Sequence, residues 1–483
     1  MNPSPPDGAP AHKTGNVPLR SLGLLELSAS GAAFIAPAFS LAAIFVAIAL
    51  TGGRFAPEGV VLGTLAALLA ASCFVAMARR HPRAGGAYAL VAGELPRSVA
   101  FCAGWGLCLL YLLGPAIPLF VVVLGMETLD PSFVPYGVEL ASGVAAGVAA
   151  VNALGLRISA RVALALFLFE AGVLLVVAAV LLGRPQVPLP PTPSGAGSLV
   201  LALGGSAALA VFLFLGFDSV STYAEEAHVP RRDVGRGTVL AILVGAAIYV
   251  TSALAYLRAV DWTAPSASYP GSVSQLLGPS GALALELVIV ISSAGALIAV
   301  ENACARVLFA MARDRMMPSP MARLFGKARV PWVPLGLSAF LTGGLTVWAV
   351  GSLPFSPGPP MALMFTVLPA LVVVGALVAY LLVAISWLKA LLTGKRKGAR
   401  WFLSLFLALG SAVMSGALLV LQPLSWTTGA SAMGSFQLGM TVGLLFAWFV
   451  AGLALWAVTR AWIDHPSNHP WHRRPAEQEG DAP

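Results

Sequence analysis

The chain has 483 residues, of which 58% are hydrophobic and 10% charged, with a formal charge of +8 and a mean hydropathy of +0.87. Soluble domains carry about a quarter charged residues, so a soluble enzyme is excluded and a polytopic membrane protein is expected. The positive balance does not point to nucleic acid, because the basic residues lie in short loops between apolar runs.

In chain order, residues 1–20 read as a polar, proline-rich tail without the charged-then-apolar order of a cleavable signal. Twelve apolar runs follow: Leu24–Leu50, Gly59–Ala78, Val99–Leu124, Val138–Leu156, Ala160–Leu182, Leu199–Tyr223, Thr238–Leu257, Ala282–Phe309, Val333–Val350, Ala362–Trp387, Trp401–Leu421 and Leu438–Val458. Each approaches or exceeds the roughly 20 residues that cross a bilayer as a helix. Residues 461–483 read as a second polar tail. With the N-terminus placed in the cytoplasm, 25 of the 28 lysines and arginines fall on the cytoplasmic side, and only Arg54, Arg184 and Arg258 fall outside. That asymmetry predicts twelve transmembrane helices in the cytoplasmic (inner) membrane, with both ends inside. Cys73, Cys102, Cys108 and Cys304 have no metal-ligand spacing and read as small packed side chains. No cofactor and no metal site is expected.

Two runs are poor helices. In the sixth, Phe212 to Ser219 brings Phe212, Phe214, Phe217, Gly216, Asp218 and Ser219 together at depth. Glycine weakens a helix, and Asp and Ser compete for its backbone hydrogen bonds. In the first, Ser28, Ser30 and Gly31 form a small hydroxyl-bearing patch with Pro37 beyond it. Irregular backbone survives at membrane depth only inside protein or beside a wet cavity. Two interrupted spans, five apart, point to an inverted-repeat transporter with its site at the midplane. Unwinding at Ser28–Gly31 is expected to free N–H groups for a carboxylate. Freed carbonyls near Gly216 then take an ammonium. Close helix packing is the alternative for the small residues. Asp218 is either a ligand or an internal cap of the break.

Several motifs follow one another in order. They are His81-Pro82-Arg83-Ala84-Gly85-Gly86-Ala87-Tyr88, Gly104-Trp105, and Asn152 with Gly155 and Ser159-Ala160-Arg161. Phe212 to Asp218 with Ala224-Glu225-Glu226 and Pro230 comes next, then Arg306 to Asp314 with Pro318. Together these resemble the amino acid–polyamine–organocation permeases. The last two spans carry no motif of that family. The first span departs from the family's G-x-G-x-x-x-F pattern, having one glycine in Ser30-Gly31-Ala32-Ala33-Phe34.

The resemblance implies an all-α membrane protein with a five-plus-five inverted repeat (24–182 and 199–387), discontinuous first and sixth helices, and two extra helices at 401–458. It implies a secondary transporter of amino acids or small amines, working by alternating access, with a small-molecule substrate and protons as partners. An exchanger and a transporter-like ligand sensor are the alternative readings. The tails are short for a sensor, and a channel's continuous polar stripe is missing. By register, Phe212 stands at the family's aromatic gate, and Glu170 stands where proton-coupled relatives place a lysine. Glu170 is thus the expected coupling residue, with a structural carboxylate as its alternative. Ser292-Ser293 is the alternative hydroxyl pair for a sodium ion. Arg83, Glu225 and Glu226, with Arg231 and Arg232, are expected to form an inner gate. Glu26 and Glu301 read as packing residues, and Cys102, Trp105 and Tyr111 as candidate cavity residues.

Overall fold

The computed structural model describes residues 20–189, 196–261, 269–394, 399–425 and 434–464, and these are helical apart from turns, connecting segments and two isolated bridges. Residues 1–19 and 465–483 of the expected tails, the Lys395-Arg396-Lys397 loop and Pro190 lie outside the described residues, while 461–464, expected as tail, continue the last helix. Among the described residues, eleven stretches are long and apolar enough to cross a membrane. The first, Leu24–Arg80, has 57 residues. At 1.5 Å per residue that is far more than a ~30 Å hydrocarbon core needs. It is divided into α1 (Leu24–Ile35), α2 (Pro37–Gly52) and α3 (Ala56–Arg80). Gly53 sits at φ 54°, ψ −128°, at the turn between α2 and α3.

The remaining helices of the first half are α4 (Gly86–Ala92), α5 (Arg97–Cys108), α6 (Ala116–Leu129), α7 (Gly137–Ala153) and α8 (Leu156–Leu182). A wide π turn at Leu109–Leu113 joins α5 to α6 and carries Tyr111. The second half holds α9 (Ala196–Ala210), α10 (Pro230–Ala259), α11 (Tyr269–Arg313), α12 (Trp332–Ser352), α13 (Gly358–Ala362) and α14 (Leu368–Thr393). α11 kinks at Gly278-Pro279, since proline cannot continue the helix it enters. α15 (Ala399–Ser425) and α16 (Ser435–Asp464) complete the chain.

α1 packs on α10, α8 and α11, and α3 packs on α10 and α9. Of an 18-residue apolar stretch in each, 78% is buried inside the protein in the third span, against 17% and 11% in the last two. Those two are therefore peripheral. α16 is pinned by two indoles stacked at 4.5 Å, Trp105 and Trp448, each donating its N–H to the other's backbone carbonyl (3.0 and 3.2 Å). Gly452 makes this approach possible, because a Cβ there would lie 2.3 Å from the Trp105 Nε1.

Candidate functional site at two helix breaks

The sixth span breaks where its sequence predicts. After α9 a 3-10 turn, Val211–Phe214, ends at Leu215 in extended backbone (ψ 132°), and Gly216 follows at φ 104°. A second 3-10 stretch, Phe217–Tyr223, resumes the span. Gly216 meets two demands at once. Its φ lies where L side chains rarely go, and a Cβ would lie 1.9 Å from the Phe34 ring.

The first span breaks elsewhere than expected. α1 runs unbroken through Ser28, Ser30 and Gly31, so no backbone is freed there. Ser28 and Ser30 donate their hydroxyls back to the carbonyls of Leu24 (2.7 Å) and Glu26 (2.9 Å). Gly31 is small for packing, since a Cβ would sit 2.6 Å from Val220 and 3.1 Å from Ala241. The break comes at Ala36, which is left-handed (φ 46°, ψ 72°) directly before Pro37. Proline disfavours helix at the residue before it. A left-handed alanine costs about 1–2 kcal/mol, and such strain clusters at functional sites.

Tyr249 of α10 joins the two breaks. Its hydroxyl lies 2.9 Å from the Leu213 carbonyl and 3.2 Å from that of Ile35, and Ser40 also donates to Ile35 (2.8 Å). The Phe214 ring packs edge-on against Tyr249 at 5.3 Å. Beyond Ala36, the Phe39 N–H donates to the Ser292 hydroxyl (3.2 Å). Ser292 and the Ala38 backbone also face the Glu170 carboxyl. Glu170 is 2% exposed, and its Oε1 has no hydrogen-bond partner. The fifth-span carboxyl thus sits at the N-terminus of α2, where unsatisfied N–H groups and the helix dipole favour negative charge.

Asp218 is fully buried. Tyr111 donates to one carboxyl oxygen (2.5 Å) and Tyr380 to the other (2.7 Å). These distances suit hydroxyl–carboxylate bonds. Asp218 therefore ties the third, sixth and tenth spans together. Phe217 packs on Tyr380 (5.1 Å) and Phe74 (5.5 Å), and Phe34 meets Tyr111 edge-on at 5.7 Å. Phe212 is half-buried beside the break.

On the arginine-rich face, Arg83, Glu225 and Glu226 do not pair with one another. Arg83 binds Asp314 (3.0 Å), which also accepts from the Tyr88 hydroxyl (3.1 Å). Arg313 grips Glu225 with two bonds of 2.7 and 2.6 Å, and the Ala84 N–H adds a third (3.1 Å). Arg306 binds Glu226 through Nε (3.2 Å) and Nη2 (3.0 Å). Arg232 binds its neighbour Asp233. The Arg83 side chain is 49% exposed, whereas those of Arg306 and Glu226 are 4% and 6% exposed. Exposed pairs contribute about 0–1 kcal/mol, and breaking a buried pair costs several times more. Of these pairs, Arg306–Glu226 is therefore the one in which loss of a partner costs most. Burial pushes the Glu225 carboxyl up, but the Arg313 fork and the Ala84 N–H outweigh it and hold the group below the usual range. Its contribution is present at neutral pH and is lost as pH falls through the lowered value.

Two discontinuous spans facing each other in an all-helical membrane protein define a transporter architecture. The amino acid permease family model matches residues 25–442, and the chain belongs to that family. It is 29% identical over 329 residues to the branched-chain amino acid permease BcaP of Bacillus subtilis, covering 62% of this chain and 69% of that protein. It is 26% identical over 425 residues to the low-affinity putrescine importer PlaP of Escherichia coli K12, covering 84% and 90%. The fold also matches a crystal structure of the Eremococcus coleocola manganese transporter bound to an aromatic bis-isothiourea compound. There the TM-score is 0.57 and the identity 14%, over 93% of this chain and 98% of that one. That likeness concerns the fold alone. Among the described residues no three His, Cys, Asp or Glu side chains are grouped to hold a metal ion.

Proposed function

We propose that the chain carries an amino acid or a related small amine across the cytoplasmic membrane by alternating access, coupled to a proton at Glu170. The observation that carries the reading is the meeting of Glu170, Ser292 and the freed N-terminus of α2 beside the first-span break. A carboxyl buried with an unpartnered oxygen is poised to take and release a proton as the break rearranges. The names of the relatives, a branched-chain amino acid permease and a putrescine importer, bracket the substrate class.

The substrate contacts we propose shift from Ser28, Ser30 and Gly31 to the break itself. They are the backbone around Ala36 and the segment Phe212–Gly216. The substrate's carboxylate faces freed N–H groups and its ammonium faces freed carbonyls. Phe212 closes over it, and an aromatic face suits an ammonium group. Asp218 holds the break in shape through its two tyrosines. The pairs Arg83–Asp314, Arg313–Glu225 and Arg306–Glu226 form the inner gate, closed in this conformation. Dividing Leu24–Arg80 at its turn gives twelve crossings in two repeats, 24–182 and 199–387. Both ends then lie on the cytoplasmic side, as the arginine distribution favours.

Solute counterflow in proteoliposomes tests the reading. Vesicles preloaded with a neutral amino acid or putrescine should show a transient overshoot of the labelled solute, which a sensor that does not transport cannot give. Phe212→Ala should weaken apparent affinity or rate at least tenfold, ~1.4 kcal/mol, with folded yield preserved. Wild-type kinetics in Phe212→Ala would place the pocket elsewhere. Topology has its own test. With the four native cysteines replaced, an impermeant maleimide should label Ser319→Cys only from the cytoplasm and Ser132→Cys only from outside. Labelling of both from one side contradicts the arrangement.

A further inference from the structure

One buried polar chain is not used by the substrate site. Glu301 on α11 is 0% exposed. Its Oε2 accepts from the Asn152 side chain (3.4 Å), and its Oε1 has no partner. Asn302 donates to Asn152 (2.5 Å) and to Ser159 (3.0 Å), and its own oxygen accepts from Arg306 (3.2 Å). Arg306 then forks onto Glu226, whose Oε2 is likewise buried without a partner. The chain runs from the inside of the eighth span to the arginine-rich face. It crosses the fourth span at Asn152 and the fifth at Ser159.

The charges do not balance if every group is ionised. One guanidinium and two carboxylates are buried together, at 3%, 5% and 0% exposure for Arg306, Glu226 and Glu301. An uncompensated buried charge is far costlier than a neutral carboxyl with one bond unmade. Arg306 is committed to Glu226, so the neutral group is Glu301. The other titratable and charged groups near this stretch do not change that count. They are Tyr223 of the sixth span, which donates to the Ala299 carbonyl, Cys108 of the third and Cys304 on α11 itself. Glu225 has its own cation in Arg313, and Glu170 lies farther along the bundle beside Ser292.

We infer that Glu301 is a proton-binding site tied to the gate: it holds a proton while Arg306 is locked on Glu226 and loses it when that lock opens. On opening, Glu226 separates from Arg306 and is rehydrated, which leaves the guanidinium without a counter-charge. The Glu301 O–H bond then breaks, its proton passes to water entering from the arginine-rich face, and the carboxylate left behind balances Arg306. The opening step rests on the gate proposed above, whereas the protonation of Glu301 in the closed form does not.

Infrared spectroscopy of the full chain in lipid vesicles reads the carbonyl stretch of protonated carboxyls. At neutral pH, wild type minus Glu301→Gln should show one such band. Glu226→Gln should lose the same band at the same pH, because Glu301 must then balance Arg306. A spectrum unchanged by Glu301→Gln overturns the proposal, as does a band that persists in Glu226→Gln. If Glu301→Gln does not fold, Glu301→Asp should move the band without removing it, and an unmoved band overturns the proposal equally. Failure of counterflow in wild-type vesicles would count against transport and leave the infrared result standing.

Discussion

Replacing Gly216 by alanine is expected to abolish transport and to cut the yield of folded protein sharply. Two costs add at this residue. The backbone at φ 104° penalises any L side chain by about 1–2 kcal/mol, and overpacking costs a further ~1–3 kcal/mol. The overlap is severe, with the added Cβ 1.9 Å from Cδ1 and 2.5 Å from Cγ of Phe34. Thermal unfolding followed by size-exclusion fluorescence reads the loss. The double variant Gly216→Ala with Phe34→Ala removes the clash but not the backbone strain, so it should recover part of the stability and little of the transport. Stability equal to wild type in Gly216→Ala alone would mean that the break does not have this geometry.

Arg306→Ala is expected to be the most damaging change on the arginine-rich face. It leaves Glu226 buried without its cation, a situation that costs about 3–5 kcal/mol. Arg83→Ala should cost under about 1 kcal/mol, because its partner is partly solvated. Adding Glu226→Gln to Arg306→Ala removes the orphaned charge and should restore part of the melting temperature. Equal melting temperatures for Arg306→Ala and Arg83→Ala would show that burial does not rank these pairs.

The break in the sixth span was legible because Gly216, Asp218 and Ser219 are all poor helix residues at one depth. The break in the first span was misplaced for a physical reason. Ser28, Ser30 and Gly31 are equally what close helix packing demands, and Val220 and Ala241 press against Gly31. The break falls instead on Ala36, an ordinary helix former forced left-handed before Pro37. Only the proline marked it.

Tyr249 and Tyr380 were missed because an aromatic residue in an apolar run reads as bulk. A buried tyrosine hydroxyl nevertheless needs a partner, and that rule was the available signal. Asp218 was read as ligand or internal cap, and the two tyrosines holding its oxygens favour the structural role. Glu225 and Glu226 are legible in the sequence as charges at that face, but their pairing is not. Their cations, Arg313 and Arg306, come from a motif some 80 residues away in the chain. Charge alone does not reveal which loops meet.

In the proposed function, Glu170 links a proton to substrate movement. This link is tested by uptake into proteoliposomes under an imposed pH gradient, comparing wild type with Glu170→Gln. Glutamine keeps the size and hydrogen bonding of the side chain and removes its titration. The membrane potential, worth ~2.3 kcal/mol per charge per 100 mV, is clamped so that only the proton gradient drives accumulation. Wild type is expected to concentrate its substrate, while Glu170→Gln only equilibrates it and still performs counterflow. Accumulation in Glu170→Gln as high as in wild type, with the same dependence on the gradient, would contradict the link.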